Sequence, residues 1–210
     1  MCSYNLIQKL AEIQYNLSKK VMEQDSFEKL QTVAGADVSF EKDNCAVAAA
    51  VVVNLDTLEI LEAKTLEVKL LFPYISRFLG FREADAVISV LKKLNNNFDV
   101  LMVNGHGIMH PRGFGLASHV GLLTDRPTIG VAKRLIKGSY KYKDSNSLKT
   151  IEFRNKPVGA CDKQKCISIG HKISLKTAVS IVLKTSIFKM PEPLRQAHIL
   201  ATNTMKDKIK

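Results

Sequence analysis

The sequence predicts an α/β fold built on a mixed β-sheet, and three observations carry that expectation. Apolar runs of strand length stand at 32–40 (TVAGADVSF), 45–54 (CAVAAAVVVN), 98–103 and 128–132. Stretches with apolar residues at helical spacing lie before, between and after them. The run ending at Val103 breaks into a glycine-rich polar segment, NGHGIMHPRGFG at 104–115. A buried strand that opens into a polar loop is where α/β proteins place their chemistry.

The elements follow in order. Residues 4–31 read as a helix, because Leu6, Ile7, Leu10, Ile13, Leu17 and Val21 fall near helical spacing. Strands cover 32–40, 45–54 and about 57–68, and the Asn54, Leu55, Asp56 turn is short enough to make its flanking strands antiparallel. Pro73 interrupts LLFPYISRFLG, and a helix follows over 81–94, closed by Asn95 to Asn97. A fourth strand spans 98–103, a helix 115–123 and a fifth strand 128–132. The Lys-, Ser- and Tyr-rich stretch 134–157 reads as loop, 157–169 as a hairpin and 174–185 as a helix. The segment KMPEPLRQAHILATN, with its two prolines, leads into a last helix, and Lys206, Lys208 and Lys210 mark a frayed end. The expected architecture is one domain over 1–210, with three antiparallel strands followed by parallel ones and helices on both faces.

Composition narrows the function classes. Lysine and arginine outnumber aspartate and glutamate by 31 to 20, a net charge of +11. That excess favours a polyanionic partner, since neutralising phosphates releases counterions. Cys2, Cys45, Cys161 and Cys166 form no paired CxxC set, so a zinc site is not expected and the thiols read as free in a reducing cytosol. The N-terminus lacks a signal-peptide pattern, and no apolar run approaches the roughly 20 residues that span a bilayer. A cytoplasmic protein with no membrane partner follows, with a monomer as the default.

Three positions suggest a metal site. Asp37 sits inside an apolar strand, where an ionised carboxylate is costly unless paired or bound to a cation. Glu83 lies in the first turn of the expected 81–94 helix, and Asn104 follows the fourth strand. In a mixed sheet of this order the first and fourth strands are neighbours, so the three can converge as oxygen ligands for Mg²⁺. Each has a plainer reading. Glu83 complements a helix dipole, Asp37 is a hydrogen-bonded or turn residue, and Asn104 forms a turn with Gly105.

The blocks GADVSF (35–40), FPYISRFLGFRE (72–83), VNGHGIMHPRGFGLASHVGLL (103–123), PTIGVAK (127–133), ISIGHKISLKTAV (167–179) and MPEPLRQAH (190–198) occur in that order. Together they resemble the endonuclease V family. The resemblance implies an RNase H-like fold. It also implies a nuclease dependent on Mg²⁺, with Mn²⁺ as a substitute, that cuts the second phosphodiester bond 3′ of inosine in DNA or RNA. It assigns metal binding to Asp37, Glu83 and position 104, and catalytic roles to His110, Lys133 and His171. Pro73, Tyr74 and Ile75 match the family's wedge, which holds open a base stack. Gly115 and Leu116 fall at its base pocket. Two residues depart from the pattern. Asn104 stands where the family has an aspartate, which removes one ligand charge, and Arg77 stands where a glycine is usual at the start of the pocket. Asn104 keeps a second reading open, a binder of inosine-containing nucleic acid that has lost cleavage. A non-enzymatic basic scaffold is a third, supported by charge alone.

Overall fold

β1 (Thr32–Phe40) and β2 (Cys45–Asn54) are buried over most of their length, which is why their sequences are apolar nearly throughout. In the computed structural model, which describes residues 2–40, 45–136, 140–143, 148–153 and 155–207, they are neighbouring inner strands of one sheet. β3 (Ile60–Lys69) pairs antiparallel with β2, and its half-buried and exposed residues alternate as expected where only one face is covered. β4 (Val100–Asn104) and β5 (Thr128–Ala132) run parallel to β1. β9 (Cys166–His171), β8 (Lys156–Cys161), β7 (Lys149–Phe153) and β6 (Lys141–Lys143) then continue antiparallel. The order across the sheet is β3-β2-β1-β4-β5-β9-β8-β7-β6. The α/β class and the adjacency of the first and fourth strands are as the sequence predicts.

Helices cover both faces. Val33, Val100, Met102, Ile129 and Val131 pack with Ala178, Ile181 and Val182 of α4 (Leu175–Lys184) and with Leu194 and Ala197 of α5 (Glu192–Asp207). The alternate residues Ala34, Ala36, Leu101 and Val103 pack against α2 (Leu79–Leu91) and α3 (Leu116–Thr124). No helix among the described residues is long and apolar enough to cross a membrane.

α5 is laid along β1 by small residues. A Cβ on Gly35 would collide with the Pro193 backbone, so only glycine lets the helix start here. Farther along, Ser39 Oγ meets Thr202 Oγ1 at 3.1 Å. Two strand residues advance about 6.7 Å and four to five helix residues advance about the same, so strand and helix stay in step. Gly35 faces Pro193, Asp37 faces His198 and Ser39 faces Thr202.

Several expectations need correction. α1 spans Cys2–Ser18 and does not reach residue 31. The following chain is held by backbone pairing to a distant segment, Lys172 N to Met22 O at 2.7 Å and Ser26 N to Lys172 O at 3.2 Å, with Phe27 and Leu30 packed on the core. β3 begins at Ile60, and α2 starts at Leu79 and ends at Leu91. The 134–157 stretch contains β6 and β7; its residues 137–139, 144–147 and 154 lie outside the described residues. The expectation of free thiols fails for Cys161 and Cys166, which form a disulfide. They are direct cross-strand partners in the β8–β9 hairpin with Cα atoms 4.1 Å apart, a proximity that spacing rules do not register. Cys45 is free and exposed. Lys208 and Lys210 also fall outside the described residues.

Candidate functional site

Asp37 is 7% exposed and projects from the middle of β1. Asn104 reaches it from β4, because the parallel register sets Val103 beside Ala36. Asn104 Nδ2 donates to Asp37 Oδ1 at 3.0 Å, and His198 Nδ1 lies 2.6 Å from Asp37 Oδ2. The hydrogen bond to Asp37 is the main reason that His198 holds its proton to higher pH than an ordinary histidine; burial and the nearby Lys133 charge oppose it. Lys133 is exposed, one residue beyond β5, so the cluster carries a cation at its rim.

Glu83, buried in the first turns of α2, closes the site from the other face of the sheet. Burial first, and the Asp37 charge second, push its carboxyl up to about 8, with Arg82 partly offsetting them. Two acids that cannot both ionise cheaply are a site short of positive charge. Among the described residues no three His, Cys, Asp or Glu side chains form a metal-holding group, and the third position beside Asp37 and Glu83 is Asn104. Two carboxyl groups and an amide oxygen still make an all-oxygen donor set, which fits a hard divalent cation with one ligand charge fewer than three acids would give.

A second group of predicted residues gathers around a cavity of ≈190 Å³ lined by Tyr74, Arg77, His106, His110, Gly115 and Leu116. Its rim is the loop before α2. Pro73 is exposed there, Ile75 is partly buried, and Tyr74 is 67% exposed. Arg77 adopts φ 70°, the left-handed conformation that glycine takes without penalty, which gives a physical reason for the family's preference. The turn is held by its carbonyl, which accepts from Gln14 Nε2 (3.2 Å), His110 Nε2 (3.1 Å) and Arg112 Nη2 (2.8 Å). Gln14, 2% exposed on α1, also bonds Phe114 O at 2.9 Å and takes a hydrogen bond from Arg112 Nε at 2.6 Å. Gly115 starts α3, where a Cβ would strike the His106 carbonyl.

The structure thus brings Asp37, Glu83 and Asn104 together, with Lys133 close by. It sets His110 apart from that cluster. Burial, with the Arg112 and His106 charges adding, drives the His110 pKa down to about 3, and the ring accepts from Arg112 N at 3.2 Å while bonding the Arg77 carbonyl. His171 stands at the opposite end of the sheet, because it pairs with Thr128 at the start of β5 whereas Asn104 pairs with Val131 near its end. There it accepts from Met22 N at 3.2 Å and lies 3.6 Å from Asp125. Sequence reasoning missed two residues. His198 was present in the RQAH block but carried no assignment, and Gln14 looks like one more polar position on an amphipathic helix.

A family model described as Endonuclease V matches residues 15–199. An endonuclease V from Dictyoglomus thermophilum is 40% identical over 207 residues, 94% of this chain and 90% of its own length. One from Thermofilum pendens is 39% identical over 204 residues, 93% of this chain and 88% of its own. Among solved structures, the catalytic domain of human endonuclease V superposes with a TM-score of 0.89 at 29% identity, covering 98% of each chain. The D234N variant of Ciona intestinalis endonuclease V, in complex with a 23mer DNA containing an inosine followed by a ribo-adenosine, does so with a TM-score of 0.86 at 29% identity. That match covers 98% of this chain and 99% of the other.

Proposed function

The chain belongs to the endonuclease V family, a family of nucleases, and from that premise we propose that it hydrolyses a phosphodiester bond of inosine-containing nucleic acid. The observation that carries the reading is the buried Asp37 carboxylate facing Asn104 across two parallel strands, with Glu83 beside it. Asp37, Glu83 and the Asn104 amide oxygen would hold Mg²⁺, or Mn²⁺ in its place. The ion would supply an ionised water and offset charge on the phosphate. The protein does the rest. His198 fixes the orientation of Asp37 through one carboxylate oxygen, and Asn104 holds the other. Lys133 places a cation where charge develops on the phosphate. Tyr74, flanked by Pro73 and Ile75, is exposed where it can enter a base stack, and the adjoining cavity seats the displaced base. His110, Gln14 and Arg112 hold the turn that connects wedge and cavity. The bond cut is the second 3′ of the inosine, as in the family the chain resembles, and residues 1–210 act as one unit.

A second reading has its own observation. Asn104 donates a hydrogen bond to Asp37 where an aspartate would repel it. This quiets the site electrostatically and favours a lesion binder with impaired cleavage. One experiment separates the two. End-labelled DNA and RNA strands with a single inosine are incubated with Mg²⁺ or with EDTA, using this chain and Asn104→Asp. A metal-dependent nick two bonds 3′ of inosine, absent from adenine controls, supports the nuclease. Inosine-selective binding without product, with nicking restored in Asn104→Asp, supports the binder. No nick from either protein overturns the nuclease reading.

A further inference from the structure

The wall of the cavity contains a polar atom that the nuclease chemistry does not use. His106 is one of its lining residues, and its Nε2 is buried with no hydrogen-bond partner among the described residues. The other ring nitrogen is hydrogen-bonded to the Arg134 backbone in the sense that favours a ring N–H, so the carbonyl accepts and Nδ1 carries the proton. That tautomer leaves Nε2 as a bare lone pair. The residue's backbone is held in place on the cavity wall: His106 O accepts from Ala117 N at 3.0 Å, and Gly115 packs directly against that carbonyl. Buried polar groups in native proteins are nearly always satisfied, so an orphan on a cavity wall calls for a partner that arrives with a ligand.

We infer that His106 reads the protonation of the base: Nε2 accepts the N1–H of hypoxanthine as the cavity wall relaxes to admit it. The inference rests on the proposed function, in which this cavity seats an inosine base. Deamination of adenine changes its six-membered ring at two places. The amino group becomes a carbonyl, and N1 changes from an acceptor to a donor. A fixed acceptor opposite N1 therefore pairs with hypoxanthine and opposes the adenine lone pair. A site built to meet one hydrogen-bonding group rejects an analogue that cannot supply it. Guanine also carries N1–H, so this contact separates deaminated from intact adenine but does not by itself exclude guanine.

The test is binding without cleavage. Fluorescence anisotropy in EDTA compares short single strands carrying one inosine, adenine, guanine or unsubstituted purine, whose N1 is a bare acceptor. The parent chain should prefer inosine to adenine, accept guanine at this contact and bind the purine strand as weakly as the adenine strand. His106→Leu should reduce the inosine-to-adenine preference by about fivefold or more, since a good base-edge contact carries at least that much discrimination. His106→Gln, which can present an amide oxygen, should retain most of it. An unchanged preference in a His106→Leu protein that melts with the parent overturns the inference and leaves the proposed function standing. Purine bound as tightly as inosine by the parent overturns it without any variant. Equal parent affinities for inosine and adenine strands overturn both readings.

Discussion

Two histidine–aspartate pairs stand at opposite ends of the same sheet, and they are built in opposite ways. At the end where β1 and β4 run out, the acid is buried and the base is in the open: Asp37 is 7% exposed and the His198 side chain 53%. At the other end the base is buried and the acid is in the open, with the His171 side chain 3% exposed and Asp125 75%. The electrostatics follow. Asp37 raises the proton affinity of His198, whereas burial lowers that of His171 despite Asp125. A buried neutral imidazole is content with one backbone N–H, which Met22 supplies. A buried carboxylate with a second acid beside it needs a cation. Residue types alone do not distinguish the two ends; the location of the buried charge does.

The comparison breaks first at the acids. Asp37→Asn should lower inosine-dependent cleavage by about 10³-fold or more, since it removes a ligand charge on which the chemistry depends. Asp125→Asn should leave the rate within about twofold, because an exposed ion pair with Lys172 contributes little. Single-turnover rates of the two variants check this. An equal loss in both would show that burial of the acid is not what matters.

The histidines should give a smaller contrast of the same kind. His198→Ala should cost about 10- to 100-fold in cleavage, the usual effect of removing a group that orients a metal ligand. His171→Ala should leave the rate nearly unchanged and lower the melting temperature by a few degrees, since it removes a buried ring and the acceptor of the Met22 N–H. Rates and melts measured on both variants sharpen or dissolve the distinction.

The last contrast, the one that does not read the rate, is a difference in sign. Glu83 has its folded pKa raised to about 8, so its contribution to stability is full at low pH and is lost as pH rises toward that value. His171 has its folded pKa lowered, so its contribution is full at high pH and is lost as pH falls below the ordinary histidine range. In EDTA, Glu83→Gln should flatten the fall in melting temperature between about pH 5 and 8, a matter of a few kcal/mol. His171→Ala should flatten the acid side. Melts across that range read both; a parallel response in the two variants would contradict the assignment.

Much of this was legible from the chain, and the failures share a cause. β1, β2, β4, β5 and α3 matched closely because their apolar runs or glycine boundaries are local signals. Residues 19–31 have apolar positions that look helical, yet their backbone is claimed by the turn after β9, nearly 150 positions away. β6 and β7 sit at the open edge of the sheet, where lysine-rich strands are normal and read as loop. In the site, the pairing of Asp37 with Asn104 followed from strand order. His198 did not, because its position depends on a glycine that lets α5 lie on β1, a contact between residues 158 apart in sequence that no local pattern records.

The central claim is that Asp37, Glu83 and Asn104 share one divalent ion, and calorimetric titration of the protein with Mn²⁺ tests it without any substrate. The account predicts a single site in this chain, binding about tenfold or more tighter in Asn104→Asp and lost in Asp37→Asn. Equal binding by all three proteins would contradict it.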